Sequence, residues 1–173
     1  AGYEIAHAWD PAREVGGDFY DFLPLPHGKL GLLMADVADK GIPAALFMAT
    51  TSTLLRVSAH DHAAPDQALQ HANAWINAGN REDMFVTAWY GILDPASQRV
   101  DFANAGHSLA LHVQAADGAI RMLRPAGMPL GVTEDLVLER DAVTLAPGDL
   151  LVLYTDGVID ALNEAEEDFG QDR

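Results

Sequence analysis

Leu30-Gly31-Leu32-Leu33-Met34-Ala35-Asp36-Val37-Ala38-Asp39-Lys40-Gly41 is an apolar run that ends on carboxylates. Lys29 to Val37 reads as a buried strand, and Phe19 to Leu25 as its partner across a turn at Pro26-His27-Gly28. The hairpin these two make is the start of the fold. Upstream, Tyr3, Ile5, His7 and Trp9 alternate with Glu4, Ala6, Ala8 and Asp10, which predicts a further strand ended by Pro11.

Downstream the period changes. Pro43 stands at a first helical position, and Leu46, Thr50, Thr53, Leu54 and Val57 recur at helical spacing, predicting a helix to about Ser58. A second helix is expected after Pro65-Asp66, with Leu69, Ala72, Trp75 and Ile76 on one face and Gly79-Asn80 as its stop. From Met84 the pattern returns to strands: Phe85 to Leu93, Arg99 to Asn104, Leu109 to Gln114, Ile120 to Leu123, Leu136 to Leu145 and Leu150 to Tyr154. Asp94-Pro95, Asp117-Gly118 and Pro147-Gly148 supply turns between them, so the sheets should be antiparallel. A last helix is expected near Val158 to Glu167. Strands interrupted by one helical pair imply an α+β architecture, sheet packed on sheet with helices outside.

The 173 residues, 49% of them hydrophobic, suffice for one core, so residues 1–173 are read as a single domain. The chain opens on Ala1 and directly on a strand-like pattern, and the expectation is a piece of a longer multidomain protein. No run of about 18 apolar residues lacks a charge, so a soluble, cytoplasmic chain with no membrane partner is expected. With 26 acidic and 10 basic residues the net charge is −16, which repels nucleic acid and anionic lipid. Cysteine is absent, which excludes disulfides, thiolate metal sites and cysteine nucleophiles.

The chemistry concentrates where apolar strands stop. One run ends on Asp36, and Leu150-Leu151-Val152-Leu153-Tyr154-Thr155-Asp156-Gly157 ends in the same way on Asp156. Asp18 follows two glycines in Val15-Gly16-Gly17-Asp18-Phe19-Tyr20-Asp21, where the backbone can approach closely. Each aspartate alone could cap a turn. Together, at the mouth of a core, they need a counter-charge, and an oxygen-only donor set favours Mg²⁺ or Mn²⁺ over zinc. Asp36 to Asp39 has the wrong spacing both for a helix-loop-helix calcium loop and for an Asp-x-Asp aspartyl-phosphate phosphatase. No Gly-x-Ser-x-Gly elbow, Walker loop or dinucleotide fingerprint is present.

Four motifs in order, Val15 to Asp21, Ala35 to Gly41, Asn104-Ala105-Gly106-His107 and Thr155-Asp156-Gly157-Val158, carry a family resemblance. The chain resembles the SpoIIE-type serine phosphatases, a bacterial branch of the type 2C-like metal-dependent protein phosphatases. The resemblance implies a β sandwich of two mainly antiparallel sheets flanked by helices, an α-β-β-α arrangement with a metal cluster at one end. It implies Asp18, Asp36, the Val37 backbone carbonyl and Asp156 as ligands of two Mn²⁺ or Mg²⁺ ions, Asp36 bridging them. A metal-activated water then attacks phosphorus in line, with no covalent enzyme intermediate.

By the same resemblance Asp21 and Asp39 are outer candidates, Arg13 is a candidate for a phosphate oxygen, and Asn104 and His107 order the loop over the site. The implied substrate is a phosphoserine protein, an anti-sigma factor antagonist, with a sensor or receiver domain upstream. In the family pattern a further helix and strand with another metal-binding aspartate follow, whereas this sequence ends at Arg173. Reduced metal occupancy is the resulting expectation, because Asp160, Asp168 and Asp172 lie too close to Asp156 to replace it. The competing readings are a regulatory module that keeps the fold without hydrolysis, and a plain Ca²⁺-binding domain.

Overall fold

The computed structural model describes residues 2–10, 16–38, 41–79, 84–163 and 166–170. The expected hairpin is β1 (Asp18–Pro24) and β2 (Leu30–Val37), joined by a single 3₁₀ turn in which His27 and Gly28 both have positive φ. Then come α1 (Ile42–Asp61), α2 (Pro65–Gly79), β3 (Val86–Asp94), β4 (Arg99–Ala105), β5 (Ala110–Val113), β6 (Ile120–Leu123), β7 (Arg140–Thr144), β8 (Leu150–Val152) and α3 (Asp156–Ile159). Two sheets result, ordered β1-β2-β3-β4-β7 and β6-β5-β8, and the strand pairings within them are antiparallel among the described residues.

Alternation along the strands of the larger sheet makes two cores. Leu33, Ala35 and Val37 of β2, with Val86, Ala88, Tyr90 and Ile92 of β3, pack against Leu55, Ala59, Leu69, Ala72 and Ile76 of the helical pair. The opposite face places Trp89, Leu93, Val100 and Phe102 against Ala110 and Leu123 of the smaller sheet, with Trp89 and Phe102 stacked at 5.5 Å. Gly91 leaves room for the Trp89 ring, which an added Cβ would strike. α1 is long and apolar enough, by length and composition, to cross a membrane. Here it lies along α2, and its Arg56 pairs with Asp21 of β1.

Several expectations are corrected. Residues 2–10 form no strand and are exposed; the alternation is present, but no described strand pairs with it, and His7 reaches β1 with its ring 5.0 Å from that of Tyr20. The strand expected over Leu136 to Leu145 shortens to β7, while Leu136 and Leu138 are buried without a ladder. Trp75 is 58% exposed, at the edge of the buried face of α2. The helix expected near Val158 to Glu167 shrinks to the four residues of α3. Among the described residues a local return follows, in which Asn163 N–H donates to the Glu167 carbonyl and Phe169 N–H to the Ala161 carbonyl.

Helices cover one side of the described sandwich. On the outer face of the smaller sheet, Ile120 and Leu150 flank Val113, and Met122 and Val152 flank Leu111. Ile120 and Leu150 are well exposed there.

On the opposite face of that sheet His112 Nε2 lies 2.7 Å from Asp149 Oδ2, both side chains nearly inaccessible. Asp149 also accepts the N–H groups of Ala115 and Ala146. The Ala115 N–H first, then His112, holds the Asp149 carboxyl below the usual carboxylate range. A carboxyl depressed on folding stabilises above its unfolded pKa of about 3.9, and that contribution is lost as pH falls through the lower folded value. Asp149→Asn is therefore expected to lower the urea midpoint at neutral pH. The gap from the unmodified chain should close below about pH 4, as measured by urea titrations across the acid range.

Candidate metal centre

Register places the acids. Asp18 pairs with Asp36, and Asp36 with Thr87, so the three residues form one row across β1, β2 and β3 on the face toward the smaller sheet. The next same-face row, Tyr20, Met34, Trp89 and Asn104, begins the packed interior. The polar row thus closes one end of the sandwich. Asp156 arrives from the opposite side, just after β8, at the start of α3.

One carboxylate oxygen from each of Asp18, Asp36 and Asp156 lies within 4.8 Å of the other two. At that separation each pair of charges repels by about 1 kcal/mol in a water-like dielectric and about 3.5 kcal/mol at an effective value near 20. A divalent cation reverses this sign. The local chain is shaped for one: a Cβ on Gly17 would sit 2.7 Å from the Val37 carbonyl oxygen and 3.0 Å from Asp36 Oδ1. Glycine leaves that carbonyl and that carboxylate lining one small space. Three carboxylates and a backbone carbonyl form an all-oxygen set that fits Mg²⁺ or Mn²⁺.

Around the cluster the Thr155 hydroxyl donates to Asp18 Oδ2 at 2.7 Å. Asn104 and His107 close a tight loop on themselves: the His107 N–H donates to Asn104 Oδ1 at 2.7 Å, and Asn104 Nδ2 donates to the His107 carbonyl at 2.9 Å. The imidazole Nδ1 lies 2.8 Å from Thr87 Oγ1. Burial pushes the His107 pKa down to about 4, against the pull of Asp18 and of the Tyr154 backbone.

The structure thus brings Asp18, Asp36, the Val37 carbonyl and Asp156 together, with Asn104 and His107 beside them. Asp21 goes elsewhere: it is odd-numbered in β1, faces the helices, and its Oδ2 is 2.6 Å from Arg56 Nη2. Arg13 and Asp39 lie outside the described residues. Thr87 and Thr155 were not foreseen. Thr155 had a signal in its place beside Asp156, but Thr87 became visible only once the register of β2 and β3 was known.

A two-sheet sandwich with this topology is the fold of PP2C-type phosphatase domains. The SiaA-PP2C domain of Pseudomonas aeruginosa superposes with a TM-score of 0.80 at 23% identity, covering 95% of this chain and 65% of that one. The RsbU and RsbW domains of Rv1364c from Mycobacterium tuberculosis give 0.74 at 30% identity, over 87% of this chain and 42% of that one. The profile of the Stage II sporulation protein E (SpoIIE) family matches residues 26–173, and the chain belongs to that family. Among curated relatives, phosphoserine phosphatase RsbU of Bacillus subtilis is 29% identical over 89% of this chain and 46% of its own length. The chain spans about a third to a half of the curated relatives it matches.

Gly17→Ala is expected to weaken Mn²⁺ binding by at least about tenfold, because a site held to within about 0.5 Å cannot absorb the displaced Val37 carbonyl. Gly79→Ala, which meets open space, should leave affinity unchanged. Calorimetric Mn²⁺ titration of both variants checks this.

Proposed function

We propose that this domain is a metal-dependent protein-serine phosphatase that hydrolyses phosphoserine on a regulatory phosphoprotein. The observation that carries the reading is the convergence of Asp18, Asp36 and Asp156 within 4.8 Å. Family membership and relatives named as phosphoserine phosphatases support it. An anti-sigma factor antagonist is the proposed substrate class, on the family resemblance, with a sensor or receiver domain upstream and action in the cytoplasm.

The residues divide the work. Asp36, central in its row between Asp18 and Thr87, would hold the cation together with Asp18 and the Val37 carbonyl. Asp156 would add a third carboxylate from the side of the other sheet, and the Thr155 hydroxyl holds the Asp18 carboxylate in one orientation. Mn²⁺ or Mg²⁺ bound here would lower the pKa of a water and neutralise charge on the phosphoryl oxygens. The acidic cluster is also what makes phosphate recognition possible on a chain of net charge −16. Without a cation concentrated at this end, the summed field would repel a phosphoserine dianion.

Hydrolysis of a phosphoserine protein should therefore require added Mn²⁺ or Mg²⁺ and stop with chelator. Asp36→Asn should lower the rate by roughly 100-fold or more, whereas Asp168→Asn, on the exposed return after α3, should do little. Equal rates in chelator and in Mn²⁺ would remove the mechanism, and equal effects of the two substitutions would remove the ligand assignment.

A further inference from the structure

α1 starts at Ile42, shortly after β2 ends at Val37, so its first turn stands at the end of the sheet that carries Asp18 and Asp36. The helix is apolar yet largely uncovered: Ile42 is 77% exposed and Leu46 67%, and α2 adds Trp75 beside them at 58%. Between the two helices runs a groove of about 440 Å³, lined from α1 by Ile42, Leu46, Thr50 and Leu54 and from α2 by Trp75. Positions four apart share one side of a helix, and the span from Ile42 to Leu54 rises about 18 Å, so the groove follows α1 for that length. Among the described residues no charged side chain lines it, on a chain of net charge −16.

The mouth of the groove meets the metal centre. Met84 lines the groove, and the next residue, Phe85, continues the β2–β3 ladder by accepting the Ala38 N–H on its carbonyl at 3.0 Å. Alternation puts Phe85 on the face of Thr87, just beyond the Asp18–Asp36–Thr87 row, and turns Met84 to the helices. From Met84 to Thr87 is about 10 Å of extended chain. A second feature lies in the groove wall. Thr51 is fully buried there and its Oγ1 has no hydrogen-bond partner, whereas Thr50 and Thr53 of the same helix donate to the carbonyls of Leu46 and Ala49. Apolar walls with one unpaired hydroxyl suit a peptide, which brings hydrocarbon and polar atoms together, better than a lipid tail.

We propose that this groove docks the phosphoprotein substrate, an apolar face of the segment next to the phosphoserine lying along α1 while the phosphate reaches the cation at the groove's mouth. This rests on the phosphatase reading and adds where the remainder of the substrate is held. Charge divides the recognition. The acids and their cation take the phosphate, and the negative field around them gives the rest of the substrate no attraction, so further binding falls to an uncharged surface that begins at the site. A second copy of the chain suits the groove less well, since two chains of charge −16 repel each other.

The test compares hydrolysis, in Mn²⁺, of free phosphoserine and of two synthetic peptides. Each peptide carries one phosphoserine flanked on both sides by about twelve residues of helix-forming sequence, with leucines at every third or fourth position in one and glutamines in their place in the other. The leucine peptide should show a kcat/KM roughly tenfold higher. Leu46→Gln and Ile42→Gln, both at largely exposed positions, should each remove most of that preference and leave the thermal midpoint and the turnover of free phosphoserine unchanged. Ile120→Gln, on the outer face of the smaller sheet, should keep the preference. Equal kcat/KM for the two peptides, on a chain that hydrolyses free phosphoserine, overturns the groove and leaves the phosphatase reading standing. A preference that survives both groove substitutions, or that Ile120→Gln also removes, does the same. A chain that sediments as a dimer and becomes a monomer in Leu46→Gln assigns the groove to a second copy and overturns the proposal. No hydrolysis of any of the three substrates removes the phosphatase reading and this proposal with it.

Discussion

Like charges placed directly across neighbouring antiparallel strands push those strands apart, and Asp18 and Asp36 are such a pair at the end of β1 and β2. The other six residue pairs of the same ladder hold the strands together against that repulsion. So does the Val37 N–H, which reaches back to the Gly17 carbonyl at 3.3 Å, one step beyond the end of β1. The hairpin is closed on both sides of its charged rung.

What lies behind the rung supplies the stiffness. β2 and β3 are buried on both faces, one against the helical pair and one against the smaller sheet. Buried Asn73 locks α2 to the loop after the Leu130 bridge, donating to the Thr133 carbonyl and accepting the Gly131 N–H, both at 2.8 Å. Leu130 itself exchanges backbone bonds with Val86, one residue from Thr87. The Asp18–Asp36–Thr87 row therefore sits at the end of strands anchored in two cores, as a constellation of fixed charges requires.

The hairpin, the helical pair and the strands from Phe85 onward were legible in the sequence, because each has one dominant period and turn residues at its ends. Asp18, Asp36 and Asp156 were legible as candidates because a carboxylate at the end of an apolar strand is conspicuous in any register. The misses share a physical cause. Tyr3 to Trp9 has a strand's alternation, but alternation does not provide an edge to pair with. Asp21 looked like a neighbour of Asp18 along the chain, yet the period of two turns it to the helices and to Arg56. Thr87 carries no local signal, because its meaning comes from a partner fifty-one residues away.

The hydrogen bond from Thr155 to Asp18 joins residues 137 positions apart. Closing a loop of that length costs about 4 kcal/mol in chain entropy before any contact compensates for it, so folding should make this connection late, after the local hairpin and the helical pair. During synthesis, Asp18 and Asp36 emerge together while Asp156 is still more than a hundred residues away. Through that interval the growing chain presents two of the three clustered carboxylates, and the full group assembles only once the second sheet has docked.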